Sequence, residues 1–211
     1  MATYDLEEQE QIDALKHFWR DYGRLIIAGV LAFVLGLGGV QGWKHYKLSR
    51  SQVASLQYAK FEEAIAKGDV NEIRNVGGDI IAEYGNTAYA PMAALVVAKT
   101  DHDAGDLDKA AERLKWAVDN AQSDDVRMVA RLRLAGVLLD QDKTDEALKL
   151  LDEEVTPAFV GAYADLRGDV LVAQGKPADA REAYKKALEH AGNDSTWHDV
   201  VQLKMDALSS Q

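Results

Sequence analysis

Two patterns of apolar residues divide the chain, and the change from one to the other falls near residue 44. From Leu25 to Trp43 the stretch LIIAGVLAFVLGLGGVQGW carries no charged residue, so a helix there is apolar on every side. Its 19 residues extend about 28 Å as a helix, close to the roughly 30 Å hydrocarbon core of a bilayer. Trp19 and Tyr22 precede the stretch and Trp43 and Tyr46 follow it, where amphipathic rings favour the headgroup level. A cleaved signal peptide would need a short basic start and a small-residue cleavage site; the residues before Leu25 are instead largely acidic. The pattern predicts an uncleaved transmembrane helix over residues 24–43, a short tail over 1–23 and a separate body over 44–211. Within the span, Ala28, Ala32, Gly36 and Gly39 fall on one stripe, which lets another membrane helix approach closely.

Beyond residue 50 the apolar positions recur at helical spacing and strand signals are nearly absent. A polar turn followed by a helix start appears four times, as KGDVNEI, AGDLDKA, DQDKTDEA and AQGKPADA. Gly68, Gly105, Asp142 and Gly175 are the equivalent turn residues, 37, 37 and 33 apart. Periods of that length indicate antiparallel helix pairs stacked in a solenoid. In the last unit Gly168, Gly175, Ala180, Tyr184 and Ala187 stand at the small and large positions of a tetratricopeptide unit. Ala98 with Ala110, and Ala135 with Ala147, take the helix-crossing positions of the middle units, where close backbones require small residues. The first unit departs from the pattern, with Phe61, Ile73 and Gly77 at those sites. Asp69 with Glu72 forms a capping-box pair, Asp106 and Thr144 are helix-cap candidates, and Pro177 suits a first turn. Trp197, Val200, Val201, Lys204 and Leu208 share one side of a final helix that closes the last repeat. Residues 44–66 read as a helix continuing from the span. The expected fold is therefore all-α: a single N-terminal transmembrane helix, then an α-solenoid of about four tetratricopeptide-like helix pairs, then a C-terminal capping helix.

Charge separates the two parts again. Six basic and six acidic residues balance over 1–50, so the net charge of -11 lies wholly beyond residue 50. An acidic body is repelled by nucleic acid, which recruits Lys and Arg. The absence of cysteine removes disulfides, thiol nucleophiles and zinc-thiolate sites. DHDAGDLDKAAE places Asp101, Asp103 and Glu112 at calcium-loop spacing, but Gly105 and Asp106 stand where a ligand and a glycine are needed. His190 and His198, near Asp194 and Asp199, make no recognised metal motif, and no nucleophile elbow or phosphate loop occurs. Neither a catalytic site nor a cofactor or metal is expected.

A groove on the first helices of the pairs is the remaining candidate site. Its expected lining is Tyr58, Glu62 and Ile65, then Met92, Leu95, Lys99 and His102, then Val129, Leu132, Leu139 and Asp140, with an acidic edge of Asp165 and Asp169. The set lacks the several Lys, Arg and Asn residues that clamp a peptide carboxylate. These apolar residues fit either an inter-repeat core or a surface for extended apolar segments.

The ordered combination of an acidic start, a glycine-rich span ending in GW, an amphipathic continuation, YG before an Ala run, and degenerate repeats resembles the YfgM-type family of ancillary subunits of the bacterial Sec translocon. The resemblance implies a single-pass inner-membrane protein with a cytoplasmic N-terminus and a periplasmic repeat domain. It further implies a non-enzymatic interaction module whose partners are Sec translocon membrane subunits, a parvulin-like membrane-anchored chaperone and unfolded exported proteins. A scaffold or regulator in another envelope assembly, such as cofactor maturation or division, fits the same residues.

Overall fold

The computed structural model describes residues 3–190 and 195–208, and no strand occurs among them. The chain divides into two units, residues 1–49 and 50–211. The first is the leading part of α1 (Thr3–Lys67). Its large apolar side chains from Leu25 to Trp43 are exposed, Leu35 by 74%, and the helix is long and apolar enough to cross a membrane. A helix satisfies its own backbone hydrogen bonds, which is the condition for residing in lipid.

The second unit holds four helix pairs: the end of α1 with α2 (Val70–Glu83), α3 (Tyr89–Asp103) with α4 (Leu107–Asn120), α5 (Asp124–Asp140) with α6 (Thr144–Leu151), and α7 (Val160–Ala173) with α8 (Pro177–Glu189). A final helix, α9 (Ser195–Ala207), follows. Helix α6 has only 8 residues, and the chain returns to α7 through an irregular segment and a 3-10 turn at Pro157–Phe159.

The turns inside the pairs keep the register expected from their spacing. Gly68, Gly105, Asp142 and Gly175 have φ of 68°, 81°, 59° and 70°, the left-handed conformation that ends a helix and favours glycine. The next residue's N–H then donates five residues back, as from Asp106 to Asp101 C=O at 2.9 Å and from Lys176 to Leu171 C=O at 2.9 Å. Asp142 is the one non-glycine, of a type that tolerates this region.

Small residues mark the helix crossings: Ala98, Ala110, Ala135, Ala147 and Ala180 are all buried. In the last pair, a Cβ on Gly168 would lie 2.3 Å from the Tyr184 ring. The first pair reverses the sizes. A Cβ on Gly77 of α2 would lie 2.8 Å from the Phe61 ring of α1 and 2.4 Å from Val97. Phe61 at the small position is therefore matched by Gly77 at the large one, so the first unit keeps the packing volume while exchanging its owners.

The Asp69 carboxylate caps α2 by accepting from the amides of Asn71 and Glu72, each at 3.0 Å. The caps expected at Asp106 and Thr144 do not form. Asp106 Oδ2 accepts instead from Arg74 at 3.2 Å and Lys109 at 3.1 Å. Lys143 holds the cap position of α6, and Thr144 Oγ1 accepts from Gln174 Nε2 at 3.2 Å. Both side chains belong to a row of bonds between successive pairs that spacing within one pair does not reveal. Arg74 Nε donates to Asp101 at 2.7 Å, Gln141 Nε2 to Asp108 at 2.9 Å, and Gln174 Nε2 to Asp145 at 2.9 Å. Each bond ties the start of one pair's second helix to the end of the next pair's first helix.

A candidate binding cleft on the first helices

Successive first helices stand side by side, and between α3 and α5 they leave a cleft of about 440 Å³. Leu95, Ala98, Leu114 and Val137 give it an apolar interior, while Lys99, His102, Asp103, Arg133 and Asp140 form its charged rim. Gly136 on α5 also lines it, and a Cβ there would meet nothing within 4 Å. The volume suits one or two apolar side chains of a bound segment.

Bonds along the rim fix most of its charges. Lys99 Nζ donates to Asp103 Oδ2 at 2.5 Å. His102 Nε2 lies 2.8 Å from Asp140 Oδ2, and its Nδ1 lies 3.7 Å from Asp103 Oδ1. The bond to Asp140 exceeds the opposing effect of desolvation and raises the His102 pKa above its ordinary value. Lys99 lowers the Asp103 pKa by hydrogen bonding to the carboxylate. Arg133 is exposed and forms no ion pair among the described residues.

The sequence-predicted lining distributes itself over more than this cleft. Leu95 faces the cleft and packs against the first and second core clusters. Leu132 and Leu139 pack half-buried on the second cluster. Tyr58 packs on the first, its ring 5.6 Å from Phe61 and 5.3 Å from Tyr89, and burial followed by Glu62 raises its hydroxyl pKa. Met92 is half-buried on α3. Asp165 and Asp169 are brought together by α9: Lys204 Nζ donates to both at 2.8 Å, and Trp197 Nε1 donates to Asp165 at 3.3 Å. Tyr184 Oη also donates to Asp169 at 2.8 Å. Burial and then Asp169 push the Tyr184 pKa far up. Burial pulls the Lys204 pKa down, but the two carboxylates together outweigh it and leave the value raised.

Arg133 and Gly136 were absent from the expected lining because a lone arginine and a helical glycine carry no periodic signal. Their spacing from Asp140, seven and four residues, places all three on one side of α5. Two carboxylates of the calcium-like spacing are already engaged, Asp101 by Arg74 and Asp103 by Lys99. No metal-holding group of His, Asp and Glu occurs among the described residues; Asp194 lies outside them. The small residues Ala28, Ala32, Gly36 and Gly39 stand in the exposed apolar part of α1.

The tetratricopeptide repeat-like domain family matches residues 16–210. An ancillary SecYEG translocon subunit of Neisseria gonorrhoeae is 34% identical over 209 residues, spanning 99% of this chain and 100% of the relative. The corresponding subunit of Escherichia coli is 29% identical over 212 residues, again 99% and 100%. The crystal structure of MamA protein is similar in fold, with a TM-score of 0.56 and 18% identity over 74% of this chain and 86% of that one. A match that begins before the apolar span and continues through every repeat, together with a relative aligned along its whole length, establishes that the chain belongs to the tetratricopeptide repeat-like family of ancillary SecYEG translocon subunits.

Proposed function

We propose that the protein is a membrane-tethered, non-enzymatic binding module of the SecYEG translocon. In this reading α1 crosses the inner membrane, residues 1–23 lie in the cytoplasm and the repeat body stands in the periplasm. The body holds apolar segments of newly exported chains and keeps a parvulin-like membrane-anchored chaperone close to the exit. Tethering raises the effective concentration of a weak binder at that exit without any new contact. The observation that carries the reading is the full-length relationship to ancillary translocon subunits. The α3/α5 cleft supports the manner of binding, since an apolar interior within a charged rim accepts an apolar side chain and leaves its backbone in water.

Gly136→Leu tests the cleft without loosening the fold. The new Cβ meets no atom within 4 Å and the position borders the cleft, and leaving glycine in a helix gains up to about 1 kcal/mol. The full-length variant and the unsubstituted protein are isolated from membranes in mild detergent, after crosslinking to an exported chain arrested in the channel. We expect the translocon subunits to copurify with both, and crosslinks to the arrested chain to fall several-fold in the variant with no loss of thermal stability. Undiminished crosslinking would remove the cleft from the proposal, and absence of the translocon from both isolates would remove the proposal itself.

A further inference from the structure

The helix that enters the span carries a second apolar surface before it. Ile12, Leu15, Phe18, Trp19 and Tyr22 fall within an arc of about 120° at 100° per residue. All five are exposed, Leu15 by 65% and Trp19 by 55%. Lys16 and Arg20 border one edge of the arc, while Glu10, Asp13 and Asp21 lie on the opposite side of the helix. This is a polar and apolar division, distinct from the all-round apolar surface that begins at Leu25.

We infer that this face rests in the headgroup and acyl boundary of the bilayer on the N-terminal side of the span. The inference goes beyond the translocon reading and needs only that residues 24–43 cross the membrane. Ile12 lies about 15 Å of helix from Tyr22, so the whole face is within a short reach of lipid once α1 enters it. Tilting of a span is ordinary, and Gly23 between Tyr22 and Arg24 is the weakest helix former at the junction. The composition favours lipid over a protein groove. Trp and Tyr place an apolar ring and a polar tip at the boundary, and bordering Lys and Arg chains extend toward phosphate while their stems cover apolar surface. Lys16 now bonds Asp13 at 3.0 Å and Arg20 lies 2.7 Å from His17. Such exposed pairs are weak, so phosphate competes for both cations. The acidic residues on the far side face water, away from anionic lipid.

The chain contains no cysteine, so single spin labels can be placed in the full-length protein without removing native thiols. Labels at Ile12→Cys, Leu15→Cys and Phe18→Cys report the apolar face; labels at Asp13→Cys and His17→Cys report the polar one. Val34→Cys reports the span. In proteoliposomes containing phosphatidylglycerol, the accessibility of each label to oxygen and to a water-soluble nickel chelate is measured. We expect the apolar-face labels to favour oxygen over the chelate several-fold relative to the polar-face labels. Equal aqueous access on both faces would overturn the inference. Exclusion of both reagents from the apolar face would also overturn it, by showing a protein partner there, and spin-spin broadening would identify a second copy. A chelate-accessible Val34 label would instead reject the span on which the inference rests.

Discussion

Single residues set the tolerance of each helix crossing. Gly77 is crowded by Val97 and the Phe61 ring and Gly168 by the Tyr184 ring, so Gly77→Ala and Gly168→Ala should each destabilise by about 1 to 3 kcal/mol through overpacking. Gly136→Ala, with open space at its Cβ, should leave stability unchanged or raised; chemical denaturation of the three variants checks the order. Asp101 and Arg74 predict an asymmetry of another kind. The Asp101 side chain is 3% exposed and that of Arg74 is 31% exposed. Arg74→Met strands a buried carboxylate and should cost about 3 to 5 kcal/mol. Asp101→Asn leaves Arg74 its bond to Asp106 and access to water, and should cost roughly 1 to 2 kcal/mol. Equal losses in urea unfolding would mean that Asp101 finds other solvation when Arg74 is gone.

At the scale of the helix, local chemistry was readable wherever one element carried its own signal. The turn residues Gly68, Gly105, Asp142 and Gly175 revealed the pairs because a left-handed helix end restricts residue type. Bonds between elements were hidden. Asp106 and Thr144 read as caps from their local sequence, yet Arg74 and Gln174, some thirty residues away, claim them. Asp165 and Asp169 read as a groove edge for the same reason: their partner Lys204 lies 39 and 35 residues on. Of the expected apolar groove residues, only Leu95 also lines the α3/α5 cleft, with the expected Lys99, His102 and Asp140 at its rim, because apolar spacing marks a buried stripe without saying where two helices separate. The α9 bonds make their own prediction. Val201 is fully buried among Ala164, Leu171 and Ala183, while Lys204 joins the helix to α7. Lys204→Met should therefore leave α9 helical but shorten amide protection there before any change in α3 to α5, with hydrogen exchange as the measurement.

For the body as a whole, His102 and Asp140 join the second and third pairs and make that junction sensitive to acidity. The folded pKa of His102 is raised above 6.5, so the contribution is fully present below that value and fades as pH rises through the folded pKa. The melting temperature of the unsubstituted protein should exceed that of His102→Gln more at about pH 5.5 than at about pH 9. A difference that does not vary with pH would assign the histidine to packing alone. The unequal partners at the two ends of the repeat array bear on how a growing chain finds its neighbours. Helix pairs built on one plan invite wrong matches during folding. Were the end of α1 to meet α8, Phe61 and Tyr184 would compete for a single space. Were α7 to meet α2, Gly168 would face Gly77 across a hole. Crowding penalises the first error and a cavity the second, so side-chain volume works as an address that sends each terminal helix to its own mate.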